Sequence, residues 1–250
     1  MKYLSLLSLT AFILFSCQSP QPPEEKVLTE AEQILAKTLD FHDPENKWGS
    51  FASSVEMQSY IPSRAPQDKR VTIVVMDNAK SSFTSQTLRD GYAFTRKVKG
   101  ENDCSSSWTK PELTSADSSS YAISCEAAKS SRDYYRYLLG LPMVLTDTAT
   151  HLSDSVFTEI VAGKTCDVLT VDYLPQGSHP TWQFYVDQES GQLLQTRFFT
   201  YYPEEDTTRG EIIKLGDLVE FDGMKKFGNF EWQYLDSSFL ASESFLFEPI

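Results

Sequence analysis

Three histidines are the side chains best suited to proton transfer near neutral pH: His42, His151 and His179. In "DFHDP" Asp40 and Asp43 flank His42, a spacing that can orient an imidazole for base catalysis. The plainer reading is a helix-end histidine bonded to a backbone group. His151 follows "LTDTAT" and His179 precedes Pro180, and neither has a nucleophile in a recognisable setting. The chain holds no G-x-S-x-G and no H-E-x-x-H. The acids Asp147, Asp154, Glu204, Glu205 and Asp206 lack the spacing of a calcium loop and read as solvated charge. With no C-x-x-C or H-x-x-x-H either, the sequence assigns no catalytic residue, no metal site and no cofactor.

The cysteines carry more. Met1 to Ser16 has one charge, Lys2, and then a run dominated by apolar residues, the layout of a secretory leader. It is shorter than the roughly 20 residues a membrane-spanning helix needs. Leu14, Phe15 and Ser16 before Cys17 resemble a bacterial lipobox, which makes Cys17 the expected lipidation site and new N-terminus; Phe15 is larger than usual there. The Pro-rich stretch that follows reads as a flexible tether, so the expected organisation is a leader over 1–16, anchor and tether over 17–28, and one domain over 29–250. Cys104 and Cys125 bracket the polar insert "CSSSWTKPELTSADSSSYAISC", and a bond between them would stabilise by about 3 kcal/mol on the loop-entropy model. Cys166 lies in a strand-like run and reads as a small buried thiol; three free thiols, or a pairing through Cys166, are the alternatives.

The elements that must position these residues are mostly strands. "LTEAEQILAKTLDFH" opens with Thr29 and Glu32 as a capping box, and Ala31, Ile34, Leu35, Leu39 and His42 share a stripe, which predicts a helix ending before Pro44. A second helix is predicted over "EAAKSSRDYYRYLLG", with Ala127, Ser131, Tyr134, Tyr135 and Leu138 on one side and Gly140 and Pro142 as stop signals. Period-two runs are "SSVEMQSY", "RVTIVVMD", "SSFTSQTL" and "YAFTRKVK", then "SVFTEIVAG", "TCDVLTVDYL", "TWQFYVD", "LLQTRFFTYY", "GEIIKLGDLVEF" and "NFEWQYLD". Gly163, Gly177, Gly191, Gly210 and Gly223 are read as breaks between successive hairpins of an antiparallel meander.

In "TWQFYVD" Trp182, Phe184 and Val186 share one face and Gln183 and Tyr185 the other, while "LLQTRFFTYY" sets Phe199 and Tyr201 opposite Phe198 and Tyr202. A sheet apolar on both sides must be covered twice or must curve. Two helices are few for a wide sheet, so the expected fold is mainly β (α+β): a strongly curved antiparallel sheet or half-barrel whose concave face the two helices cover. The run "YYRYLLGLPMVL" is either a lid over the mouth of a cavity or a plug of the core. Expected cavity residues are Tyr134, Tyr135, Leu138, Leu141, Met143, Trp182, Phe184 and Phe199. The formal charge of -13, one unit more negative once Lys2 leaves with the leader, argues against nucleic acid and against adhesion to anionic headgroups.

"AEQILAKTLDFHDPENKW", the cysteine-flanked insert, "YYRYLLGLPMVLTD" followed by Thr150-His151, and "TWQFYVDQESGQLLQTRFF" are together similar to an uncharacterised family of Bacteroidota envelope lipoproteins. By architecture that family resembles the lipoprotein-sorting group of LolA, LolB and the mycobacterial carrier LppX. The resemblance implies a half-barrel that holds acyl chains or another apolar ligand. Gln18 in place of the inner-membrane retention Asp favours the outer membrane, facing the periplasm or the surface. "DTA", "DSV" and "DTT" resemble an O-glycosylation signal, which marks Thr148, Ser155 and Thr207 as candidate modification sites. The expected function is therefore a membrane-anchored module binding a lipid-like or other apolar molecule, touching the membrane through its anchor only. The alternatives are an interaction subunit with a filled core and an envelope protein partner, or a hydrolase using His42 or His151.

Overall fold

The structure, a computed structural model, describes residues 27–66, 68–89, 92–109, 123–148, 150–173 and 180–250. The leader, Cys17, the tether up to Lys26, Gly177, His179 and most of the insert lie outside them. Helix α1 (Glu30–His42) begins where the sequence places it. The Thr29 hydroxyl accepts the Glu32 N–H and the Glu32 carboxylate accepts the Thr29 N–H at 2.9 Å, satisfying two of the free donors of the first turn. Asp43 ends it: its N–H bonds the Leu39 carbonyl, and its carboxylate accepts the N–H groups of Lys47 (2.7 Å) and Trp48 (2.8 Å), which winds the chain into a 3-10 turn, Trp48–Ser50.

The strands are β1 (Ala52–Tyr60), β2 (Lys69–Asp77), β3 (Ser82–Arg89), β4 (Tyr92–Lys99), β5 (Asp103–Trp108), β6 (Thr150–Val161), β7 (Lys164–Tyr173), β8 (Thr181–Asp187), β9 (Leu193–Tyr202), β10 (Thr207–Phe221), β11 (Met224–Tyr234) and β12 (Phe239–Pro249). They form one curved, open antiparallel sheet of 12 strands in the order β5-β4-β3-β2-β1-β12-β11-β10-β9-β8-β7-β6. Two meanders thus meet at a seam where β1 pairs with β12, Val55 facing Phe247 and Met57 facing Phe245. The edges are β5 and β6, and one connection joins them in sequence. It contains helix α2 (Cys125–Gly140) and a 3-10 turn, Met143–Thr146. Helix α2 packs on β3, β4 and β5, and α1 on β6, β7 and β11, so each helix closes one flank of the concave side. The Cys104–Cys125 disulfide ties the first residue of α2 to β5, and Cys166 is a buried free thiol whose pKa burial raises.

Four sequence expectations change. The polar insert, named for no strand in the sequence, begins inside one, because Asp103–Trp108 pairs along β4 in spite of its three serines. The chain does not stop forming strands at Asp236: β12 follows and carries the seam. Gly210 is no break. It sits inside β10 opposite Phe199, and a Cβ there would lie 2.0 Å from the Phe198 carbonyl oxygen, so the glycine lets two backbones approach. Gly163, Gly191 and Gly223 do turn hairpins, with φ of 79°, 81° and 77°. Finally, the buried stripe of α2 is Ala128, Tyr135, Leu138 and Leu139, rotated from the expected one, and Tyr134 is 38% exposed.

Gly210→Ala should lower stability by about 2–3 kcal/mol, because a backbone carbonyl cannot swing aside as a side chain can. A urea midpoint equal to that of the parent protein would show that β9 and β10 are not this close.

Candidate functional site

The concave side is a filled trough. Its floor is built from alternate residues of the strands: Val55 and Met57, Val74 and Met76, Phe83, Val98, Phe184, Ile213, Phe230 and Phe245, all buried in one cluster. Into it drops the end of the β5–β6 connection. Leu138, Leu139, Leu141, Met143, Val144 and Leu145 are each no more than 5% exposed. Gly140 marks the tightest point, where an added Cβ would meet Val144 Cγ1 at 2.4 Å and Trp48 Cζ2 at 2.6 Å. The segment read as lid or plug is thus a plug in this state, and the chain's own side chains occupy the trough.

Of the expected cavity residues, Tyr135, Leu138, Leu141, Met143 and Phe184 belong to this cluster, and Trp182 packs at its border against Tyr137 (ring centroids 5.0 Å) and Phe198 (4.7 Å). Phe199 does not join them: strand alternation turns it to the opposite face, where the Arg197 guanidinium lies 4.9 Å from its ring. On that face Cys166, Val168 and Tyr185 form a small second cluster, so the sheet is apolar on both sides at this point, as its sequence indicates.

Open space remains beside the plug. A cleft of about 1240 Å³ lies between the end of α1, the β2–β3 and β4–β5 turns, and α2 with its following turn. Leu39, Trp48, Met76, Phe83 and Met143 give it an apolar floor, and Asp40, Asp77, Arg132, Asp133, Arg136 and Asp147 charge its rim. Arg136 closes the rim with a two-pronged pair to Asp147, one contact at 2.9 Å. Thr148, a candidate modification site, lines the same cleft. Met143 is the one expected cavity residue on its wall.

Two buried charged side chains, Glu243 and Lys226, lie beneath α2 and the plug. Glu243 of β12, 7% exposed, accepts from the Tyr134 hydroxyl (3.0 and 3.2 Å), the Trp232 indole N–H (3.3 Å) and the Ser59 hydroxyl (3.4 Å). Burial raises the pKa of this carboxyl, and burial beside Glu243 pushes the Tyr134 phenol well up, so the hydroxyl stays a donor. Lys226 of β11, 1% exposed, donates to the Leu139 carbonyl at 2.9 Å, with the Trp48 and Phe51 ring centres 4.3 and 4.7 Å away. Burial lowers its pKa to about 7. Neither Glu243 nor Lys226 stands out in the sequence. The alternation Ala241, Glu243, Phe245, Phe247 places Glu243 on an apolar face, whereas "MKKF" gives no sign of which lysine turns inward.

His42 is fully buried, and both ring nitrogens are engaged. Nδ1–H donates to the Lys225 carbonyl at 2.8 Å and Nε2 accepts the Leu193 N–H at 3.1 Å, which pins α1 to β9 and β11. No lone pair is left for a substrate, so the helix-end reading of this residue holds. His151 lies exposed on edge strand β6, paired with Asp172. Among the described residues no group of three or more His, Cys, Asp or Glu could hold a metal ion.

A family model described as a family of unknown function, DUF6503, matches residues 5–217. The LolA superfamily protein from Nitrosomonas europaea superposes with a TM-score of 0.52 at 12% identity, covering 90% of this chain and 94% of that one. A DUF1329 family protein from Desulfovibrio piger gives 0.47 at 9% identity, over 89% and 94%. At such identity the first likeness shows a shared fold. No curated protein matches in sequence.

Burial lowers the His42 pKa from 6.5 to about 4. The unfolded chain therefore takes up a proton that the folded one refuses, and stability present above pH 6.5 is lost as the pH falls toward 4, by about 3 kcal/mol in all. Urea titrations of the parent and His42→Gln should show the parent losing this extra stability across that window and the variant not; parallel curves would deny His42 the role.

Proposed function

The chain belongs to the DUF6503 family of unknown function, and from the geometry of its plugged trough we propose that it is an envelope lipoprotein binding a lipid-like or other apolar ligand between the curved sheet and α2. One observation carries this reading: the trough is filled by a continuous apolar segment, Leu138 to Leu145, that is held at its margins by a few polar contacts and flanked by a large cleft with an apolar floor. An acyl chain and a leucine-rich plug are chemically interchangeable as fillers. Withdrawing one buried side chain costs about 1.5–3 kcal/mol, and an incoming chain that covers the same floor returns a comparable amount. The likeness to a LolA superfamily fold supports the reading by analogy.

Acyl chains on Cys17 would station the domain at the outer membrane on a short tether, facing the periplasm, with the cell surface as the other orientation. Among the described residues no helix is long and apolar enough to cross a membrane, and the reading assigns attachment to that anchor. Binding rather than catalysis also fits a His42 whose nitrogens are both engaged. The filled interior favours a second reading, an interaction subunit of an envelope assembly in which the plug never leaves.

Native mass spectrometry of the mature chain, purified without detergent, separates the two. The expected result is a one-to-one apolar adduct, or uptake of added monoacylglycerol. Gly140→Ala, which forces the plug off Trp48 at a cost of about 1.4 kcal/mol or more, should raise uptake about tenfold. If neither protein takes up lipid, the carrier reading fails and the subunit reading stands.

A further inference from the structure

Resting on the carrier reading, we infer that Lys226 is a proton-operated release for the plug: loading a proton on its amine favours departure of the Leu139 to Leu145 segment and so admits the ligand. A lysine in this position is out of place among the residues around it. Its ammonium has three donors and, among the described residues, one hydrogen bond, to the carbonyl of Leu139 in the last turn of α2. Beyond that bond its nitrogen stands over the faces of Trp48 and Phe51. Trp48 is in turn covered by the backbone of Gly140. The plug is therefore the roof over this amine, and lifting it returns the amine to water.

That geometry fixes the sign of the coupling. In the closed state burial disfavours the charged amine, whose pKa falls from 10.5 to about 7; in the open state the hydrated amine regains its ordinary value. The open state then binds more protons over the whole interval from 10.5 down to 7. Closure is strongest at high pH, weakens by up to about tenfold per pH unit as the pH falls through that interval, and is constant below it. The charged groups that face Lys226 do not reverse this. From the end of α1, Asp43 pulls the amine toward its charged form but spends its carboxylate on the Lys47 and Trp48 N–H groups. His42, also from α1, becomes charged only near pH 4, outside the interval. Lys225 of the same strand lies over Phe41 at 4.0 Å, and α2 presents the Leu139 carbonyl.

Hydrogen exchange of the amides from Leu138 to Leu145, corrected for the intrinsic rate at each pH, reads the opening of the plug directly. In the parent protein protection should rise about tenfold per unit between pH 7.5 and 9.5. Lys226→Met, which keeps the length and loses the charge, should be flat with pH and more protected than the parent at pH 7. Lys226→Arg, always charged, should be flat and less protected. Faster exchange in Lys226→Met would make the lysine a pin that holds the plug shut and would overturn the inference, as would a pH-independent parent. Monoacylglycerol uptake, followed in parallel, keeps the two proposals apart: pH-dependent opening without uptake by any of the three proteins leaves the release standing and removes the carrier.

Discussion

Everything in this molecule depends on taking the concave face of a very wide sheet out of water with very little chain. Twelve strands present an inner surface of Val, Met, Phe and Ile, and among the described residues two α-helices are available to cover it. The topology makes the assignment almost forced. Because β5 and β6 are the two edges and are consecutive in sequence, the segment between them has to travel from one side of the sheet to the other, and the route that buries apolar surface lies across the trough. Each fully buried Leu or Met on that segment contributes about 1.5–3 kcal/mol, which is what holds the crossing down. The disulfide from Cys104 to Cys125 fixes where the crossing starts, at the β5 edge.

The polar groups beneath this cover fall into two kinds. His42, Asp43 and Glu243 are buried but well served by hydrogen bonds: His42 joins α1 to β9 and β11 and Glu243 joins α2 to β1, β11 and β12, elements far apart in sequence, while Asp43 ties α1 to the 3-10 turn that follows it. Satisfied in this way, they specify one arrangement of the helices on the sheet at little net cost. Lys226 is of the other kind, a charge with one hydrogen bond between two aromatic faces. A group held like that opposes the closure it sits beneath. In the proposed release the same plug is fastened at Glu243 and opposed at Lys226.

Much of the fold is legible along the chain because the side-chain period of a strand is local. The run from Thr181 to Asp187 lets Trp182 and Phe184 be assigned to one face without a structure, and the Thr29 and Glu32 pair marks the start of α1 for equally local reasons. Where local signals mislead, a distant partner is responsible. The serines of β5 have little strand preference of their own and are extended because β4 offers a ladder. Gly210 looks like punctuation and is instead a close contact with a neighbouring strand. The buried α2 stripe differs from the expected one because the surfaces it packs on, β3, β4 and β5, are contributed by another part of the chain.

The sequence by itself pointed to a mainly β fold of antiparallel hairpins, greasy on both faces where β8 and β9 run, with two amphipathic helices; these follow from periodicity, turn residues and capping, which act over a few residues. Only the tertiary structure decided that the trough is filled rather than open, that Phe199 looks away from it, and that Lys226 and Glu243 lie beneath α2. Those outcomes depend on which surfaces meet after the sheet has curved, and no local pattern carries the volume left between the plug and a floor whose halves meet where β1 pairs with β12, strands more than a hundred residues apart in the chain.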